Sequence, residues 1–191
     1  MMNLILVIIT AALVDNVILS QFYGLCPFLG VSKQVKTAAG MGAAVIFVVT
    51  IASAICAVLY NLVLVTFDLT YLKTIVFIIV IAALVQLVEM VLKKVSRSLY
   101  VALGVYLPLI TTNCCVLGTV LTNVQKEYNF ITSVCTGLGA SIGFTLAIVL
   151  MAGVREKIAH NDIVKSFQGM PVVLLSACLM AIAFYGFKGL V

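Results

Sequence analysis

Six runs of apolar residues, each near or above the ~20 that a helix needs to cross a bilayer, leave this chain few ways to fold. They cover roughly 3–23, 39–62, 71–92, 99–121, 130–153 and 170–190, and only short loops lie between them. In lipid every backbone N–H and C=O must be satisfied by protein, so a spanning segment is a helix or a strand of a closed barrel. Barrel strands alternate apolar and polar residues, and these runs do not. The expectation is an all-α integral membrane protein, one domain over 1–191. Composition agrees, with 64% of the residues hydrophobic and 9% charged, against about 25% charged in soluble domains.

The net charge of +5 does not point to nucleic acid once its placement is considered. The first, third and fifth connections carry Lys33 and Lys36, then Lys93, Lys94 and Arg97, then Arg155, Lys157 and Lys165. The second, the fourth and the C-terminal end carry Lys73, Lys126 and Lys188. Cytoplasmic loops are the basic ones, so the odd connections are expected inside and both termini on the outer face. "MMNLILVIITAALVDN" has no Lys or Arg ahead of its apolar run, unlike a secretory leader. Cys26 follows Leu25, which argues against a processed, lipidated cysteine. The first run is therefore expected to be retained.

Two signals recur in the same order in the two halves. "CPFLG" at 26–30 precedes "GMGAAVIF" at 40–47, and "CCVLG" at 114–118 precedes "GLGASIGF" at 137–144. Chance matches are common among Gly, Ala and Leu, but two ordered matches favour a duplication: one repeat over about 1–95, the other over about 96–191. Repeats offset by three spans have opposite orientations, and such 3+3 inverted repeats place a site near the midplane where discontinuous helices meet. Length supports breaks in the first and fourth helices. Residues 1–31 hold no Lys or Arg and would run ~46 Å as helix, against a hydrocarbon core of ~30 Å. Leu99 to Gln125 is similarly long and contains Pro108. Gly and Pro beside each cysteine let a helix stop and turn. The simple expectation for "GMGA" and "GLGA" is close helix packing, since neither follows a strand as a dinucleotide fingerprint would.

Of six cysteines, Cys56, Cys135 and Cys178 fit small hydrophobes. Cys26 and Cys114 differ, because the repeat brings them together. Two thiolates are soft ligands for iron–sulfur, zinc or copper(I), but an iron–sulfur cluster wants four, so one chain offers half a site; the alternative is structural cysteine. Thr111, Thr112 and Asn113 either tune such a centre by hydrogen bonds or satisfy backbone at the break. His160, among Arg155, Glu156, Lys157 and Asp162, reads as solvated surface. Glu89 can pair with Lys93 four residues on. Asp15 is costly within a span and either lines an ion path or is a locally paired polar spot.

"GLCPFLGVSK", "LPLITTNCCVLG", "AALVQLVEM" and "AGVREK" together resemble the Rnf-Nqr family, in particular the A-type component of Rnf complexes and, less closely, the E-type component of the sodium-translocating NADH:quinone reductase. The resemblance runs end to end. It implies a 3+3 inverted-repeat fold in a bacterial cytoplasmic (inner) membrane and pairing with a homologous six-helix subunit of opposite topology. It also implies one intramembrane [2Fe–2S] cluster shared between them, with Cys26 and Cys114 as this chain's ligands. Cys115 stands where the family commonly has alanine, so a second thiol lies beside the expected ligand; the repeat register favours Cys114. The function implied is a relay, as one subunit of a larger enzyme, between ferredoxin and NAD held by other subunits, coupled to Na⁺ or H⁺ transport. Against it stand a cofactor-free inverted-repeat transporter and a purely structural membrane subunit.

Overall fold

The first apolar run does not form one helix. In the computed structural model, which describes residues 2–60, 62, 72–95, 113–126, 128–159, 161 and 167–189, α1 (Met2–Ile9) passes into a π-helical turn, Thr10–Val14, and stops at Asp15. Asn16 is the reason. Its side-chain oxygen accepts from the amides of Ile18 (3.1 Å) and Leu19 (3.4 Å), offering the backbone a turn in place of the next helical bond. Its Nδ2 donates to the carbonyls of Ala12 (3.1 Å) and Gly143 (2.9 Å), the first of them in the last turn of the ending helix. The chain then turns through 15–24, with Phe22 at φ +59 and Gly24 at φ +85, before α2 (Leu25–Val31) begins.

The expectation that Gly and Pro beside each cysteine let a helix stop is therefore corrected. Cys26 is the second residue of α2, and Cys114 is the first residue of α5 (Cys114–Gln125). Both cysteines open a helix after a break. Pro27 sits in the first turn of α2, where a missing N–H costs nothing, so here proline helps a helix to start. Asp15 likewise lies at the break, as the cap of the π turn, and not in mid-span.

The remaining elements are α3 (Val35–Leu59), α4 (Lys73–Val95), α6 (Phe130–Ile158) and α7 (Met170–Tyr185), followed by a 3₁₀ turn, Gly186–Gly189. At 25 and 29 residues, α3 and α6 are long and apolar enough to cross a membrane. They form the central pair and run antiparallel. Gly42 near the start of α3 meets the Thr145 side chain, and a Cβ on Gly137 would lie 2.5 Å from Ser53 Oγ further along α3. Small residues thus let the backbones close up, as expected, at Gly42 and Gly137. α1 lies along α6 in the parallel sense: Gly139 faces Ile8 and Ala11, and Gly143 faces Ala12. α5 packs on α3 and α4, and α7 on α6.

Polarity is arranged inside out. Asn16, Ser53, Asn113, Thr119, Asn123 and Ser141 are buried, whereas Ile5, Ile79, Leu179 and Ile182 are each 60% exposed or more. Pro108, Thr111, Thr112, His160, Asp162 and the start of the fourth run lie outside the described residues, as do the side chains of Glu89 and Lys93.

Candidate functional site

The two broken segments meet. The backbone N–H of Gly24 donates to Cys114 Sγ at 2.9 Å, across 90 residues of sequence. Gly24 is two residues before Cys26, so one hydrogen bond ties the first cysteine turn to the second. A glycine is needed there twice over. Its left-handed φ is accessible to few other residues, and a Cβ would stand 2.8 Å from Phe144 Cε2 and 3.2 Å from Cys115 Cβ. One turn along α5, the Tyr23 ring fills the space a Cβ on Gly118 would need. The glycine of the second Cys-x-x-Leu-Gly is thus the seat for the turn preceding the first. Among the described residues, nothing beyond its own helix lies within 4 Å of the equivalent position on its repeat mate Gly30, so they do not repeat this seat.

The adjacent thiols of α5 are in different surroundings. Successive residues of a helix point ~100° apart, and here Cys114 is exposed while Cys115 is fully buried. Cys26 is exposed as well. Asn113 caps α5, its Oδ1 accepting from the Cys115 amide at 3.0 Å, and thereby satisfies backbone at the break. Its Nδ2 is buried with no partner among the described residues, leaving one donor unspent beside the cysteines. Among the described residues no three Cys, His, Asp or Glu gather at one point. The two turns joined by this hydrogen bond each carry an exposed thiol, and that of Cys114 already accepts an N–H.

The α2 side is held from the far end of α6. Arg155 Nη1 donates to Leu29 O (2.8 Å) and Ser32 Oγ (2.9 Å), closing the C-terminal end of α2, and the Val35 amide donates to Glu156 Oε1 (2.9 Å). The "AGVREK" stretch is therefore a clamp on the α2–α3 connection. In the sequence Arg155 reads only as a loop charge, and nothing there singles out Asn16 or Gly24 for these roles. Cys56 is core, as expected of a small hydrophobe, and Cys178 lies on the outer face of α7.

Asp15 is not engaged by the cysteine turns. It lines a separate cleft of about 160 Å³ between the π turn, α5 and α6, together with Thr10, Thr119, Thr122, Thr136 and Lys126.

Comparison with known proteins decides the lineage. Residues 4–191 match the family described as "Rnf-Nqr subunit, membrane protein". The chain belongs to the Rnf-Nqr family. It is 60% identical over 189 residues to the A-type component of the Na⁺-translocating ferredoxin:NAD⁺ oxidoreductase complex of Acetobacterium woodii, covering 99% of this chain and 98% of that one. It is 53% identical to the A-type component of the ion-translocating oxidoreductase complex of Syntrophotalea carbinolica, over all of this chain and 99% of that protein. The corresponding component of the Rhodobacter capsulatus complex is 48% identical over the same shares. As a Rnf-Nqr membrane protein, the chain has lipid to receive the exposed isoleucines and leucines of α1, α4 and α7.

Proposed function

We propose that this chain is a membrane subunit of an Rnf-type, ion-translocating ferredoxin:NAD oxidoreductase. In that role it holds, with a homologous subunit of opposite topology, a [2Fe–2S] cluster that relays electrons through the membrane. The observation that carries the proposal is the Gly24–Cys114 hydrogen bond between two cysteine turns whose outer thiols, Cys26 and Cys114, are both exposed.

The residues suit that group. A [2Fe–2S] cluster takes four thiolates, and two exposed thiols at a surface leave room for a partner to bring two more. The Gly24 N–H and the unspent Asn113 Nδ2 are the kind of donors that stabilise charge on sulfur and tune potential. Cys114, not Cys115, is the ligand in this assignment, because the thiol that faces outward is the one a partner can share. When bound, the cluster supplies one-electron chemistry, and a midplane relay shortens a ~30 Å crossing. The chain's own part is to keep the two cysteine turns in fixed relation: Tyr23 seated on Gly118, Asn113 capping α5 and Arg155 closing α2.

The repeat organisation belongs to the same proposal. α3 and α6, one from each half, pair antiparallel, and α4 packs on α3 as α7 packs on α6. That pattern exchanges under a two-fold axis in the membrane plane, as a 3+3 inverted repeat requires. Both termini are assigned to the outer face of a bacterial cytoplasmic membrane.

Low-temperature EPR of the assembled complex, with iron and acid-labile sulfide assays, tests the assignment. The expected result is a [2Fe–2S] signal that disappears in Cys26→Ser and Cys114→Ser and persists in Cys115→Ala. Persistence in both serine variants would overturn it, and ion transport continuing without iron would favour a cofactor-free transporter.

A further inference from the structure

A second cleft, of about 240 Å³, opens where α6 ends and α7 begins. Its level in the membrane follows from α6. That helix carries no charge from Phe130 to Val154 and then reads Arg-Glu-Lys. At 29 residues it runs ~43 Å, longer than the ~30 Å hydrocarbon core, which brings Arg155 to the headgroup layer. The cleft therefore sits where lipid phosphates meet acyl chains.

Its walls suit both. Arg155 and Asn161 come from the end of α6 and the residues after it, whereas Val172 and Ser176 come from the first two turns of α7. Beside them Leu174, Leu175 and Leu179, each more than half exposed, continue an apolar surface along α7. Arg155 spends only Nη1 on α2, donating to Leu29 O and Ser32 Oγ. Its Nε and Nη2 have no partner among the described residues, and the two bonds already made hold the guanidinium in place. The arginine fork matches the oxygens of a phosphate. Asn161 adds an amide donor, and among the described residues no carboxylate lines the cleft.

We propose that this cleft binds the phosphodiester of an anionic glycerophospholipid, with Arg155 as its charged contact, Asn161 as a neutral one and an acyl chain lying along α7. Basic pockets between spanning helices take such headgroups. The ammonium of a zwitterionic lipid would find no carboxylate here among the described residues, so an anionic headgroup is preferred. The lipid belongs to the cytoplasmic leaflet under the topology proposed above; the site itself rests neither on that topology nor on the cysteine assignment. In the loaded site one guanidinium bridges the lipid phosphate and the C-terminal end of α2. The α2–α3 connection, where Lys33 and Lys36 are exposed, is then held more firmly.

Ser176→Cys in the purified, delipidated complex puts a reporter thiol on the cleft wall. Its alkylation by a water-soluble maleimide, followed at that peptide by mass spectrometry, should slow at least five-fold, and saturably, as dioleoylphosphatidylglycerol is added. Dioleoylphosphatidylcholine and millimolar inorganic phosphate should each change the rate less than two-fold. Asn161→Asp should raise the phosphatidylglycerol concentration for half-protection several-fold, and Asn161→Lys should lower it. Neither substitution touches the bonds to α2, and their opposite signs separate a site from damage to the fold. Absence of protection, equal protection by phosphatidylcholine or by inorganic phosphate, or shifts of one sign in the two Asn161 variants would each overturn the proposal. If Ser176→Cys cannot be purified, trypsin cleavage of the parent complex at Lys33 and Lys36 decides. Cleavage slowed by phosphatidylglycerol and not by phosphatidylcholine supports the site, and equal rates overturn it.

Discussion

Gly24 and Asn16 hold the first break in place. Gly24→Ala forces an alanine into left-handed backbone, costing about 1–2 kcal/mol, and drives a methyl to 2.8 Å from Phe144, where overpacking adds about 1–3 kcal/mol. The expected outcome is a thermal midpoint in detergent lowered by several degrees, with faster alkylation of Cys114 as its N–H partner withdraws. Asn16→Leu keeps the volume but removes the two acceptor and two donor bonds that stop α1. Interhelical hydrogen bonds in membranes average only about 0.6 kcal/mol, whereas buried groups left unpaired cost about 1–3 kcal/mol. The second figure applies here, because the buried amides of Ile18 and Leu19 lose their acceptor. Unfolding titrations in mixed detergent should therefore show a loss of more than about 1 kcal/mol.

Among elements, α5 is the one that borders both the cysteine turns and the Asp15 cleft. Its first turn presents Cys114 to the surface, its second presents Gly118 to Tyr23, and Thr119 and Thr122 face the Asp15 cleft. Gly118→Ala puts a methyl into the Tyr23 ring and should displace the 20–24 turn from Cys114. Tyr23→Leu, which narrows the ring side, should restore part of the loss. A double-mutant cycle on thermal midpoints would read that coupling, and strict additivity would mean that the ring and the helix do not meet. α2 is short and depends on help from afar. Arg155→Lys keeps the positive charge but gives up the planar fork that reaches two acceptors. Trypsin cleavage at Lys33 and Lys36 should then quicken while the topology stays the same.

At the scale of the whole molecule, an inside-out arrangement of polarity makes sense only in lipid. Burying Asn16, Ser53, Asn113 and Asn123 while exposing Ile79, Leu179 and Ile182 would be unstable in water, because large exposed apolar surfaces associate. Ile79→Arg, on the outer face of α4, should lower membrane insertion and yield, since a charge at the lipid-facing centre of a span costs about 2.5–3.5 kcal/mol on insertion scales. The conservative Ile79→Leu should be silent; equal membrane yields for the two would contradict a lipid-facing α4.

The class of this protein could be read without any coordinates. Transfer of apolar side chains into lipid is close to a local sum, so runs of ~20 residues announce spans wherever they lie. The broken first helix was legible from length alone, and the tight glycine packing of α3 and α6 from the small-residue pattern. The position of the break was not legible, because Asn16 ends the helix with the help of a carbonyl 127 residues away. Nor was the choice between Cys114 and Cys115: helix phase separates them, and only the neighbours of α5 decide which is buried. Nor were the three threonines that two other helices bring to the cleft of Asp15. Local chemistry determined what this chain is made of and where it resides. Contacts between residues far apart in sequence determined which of its polar atoms face one another, and no sum over single residues contains that.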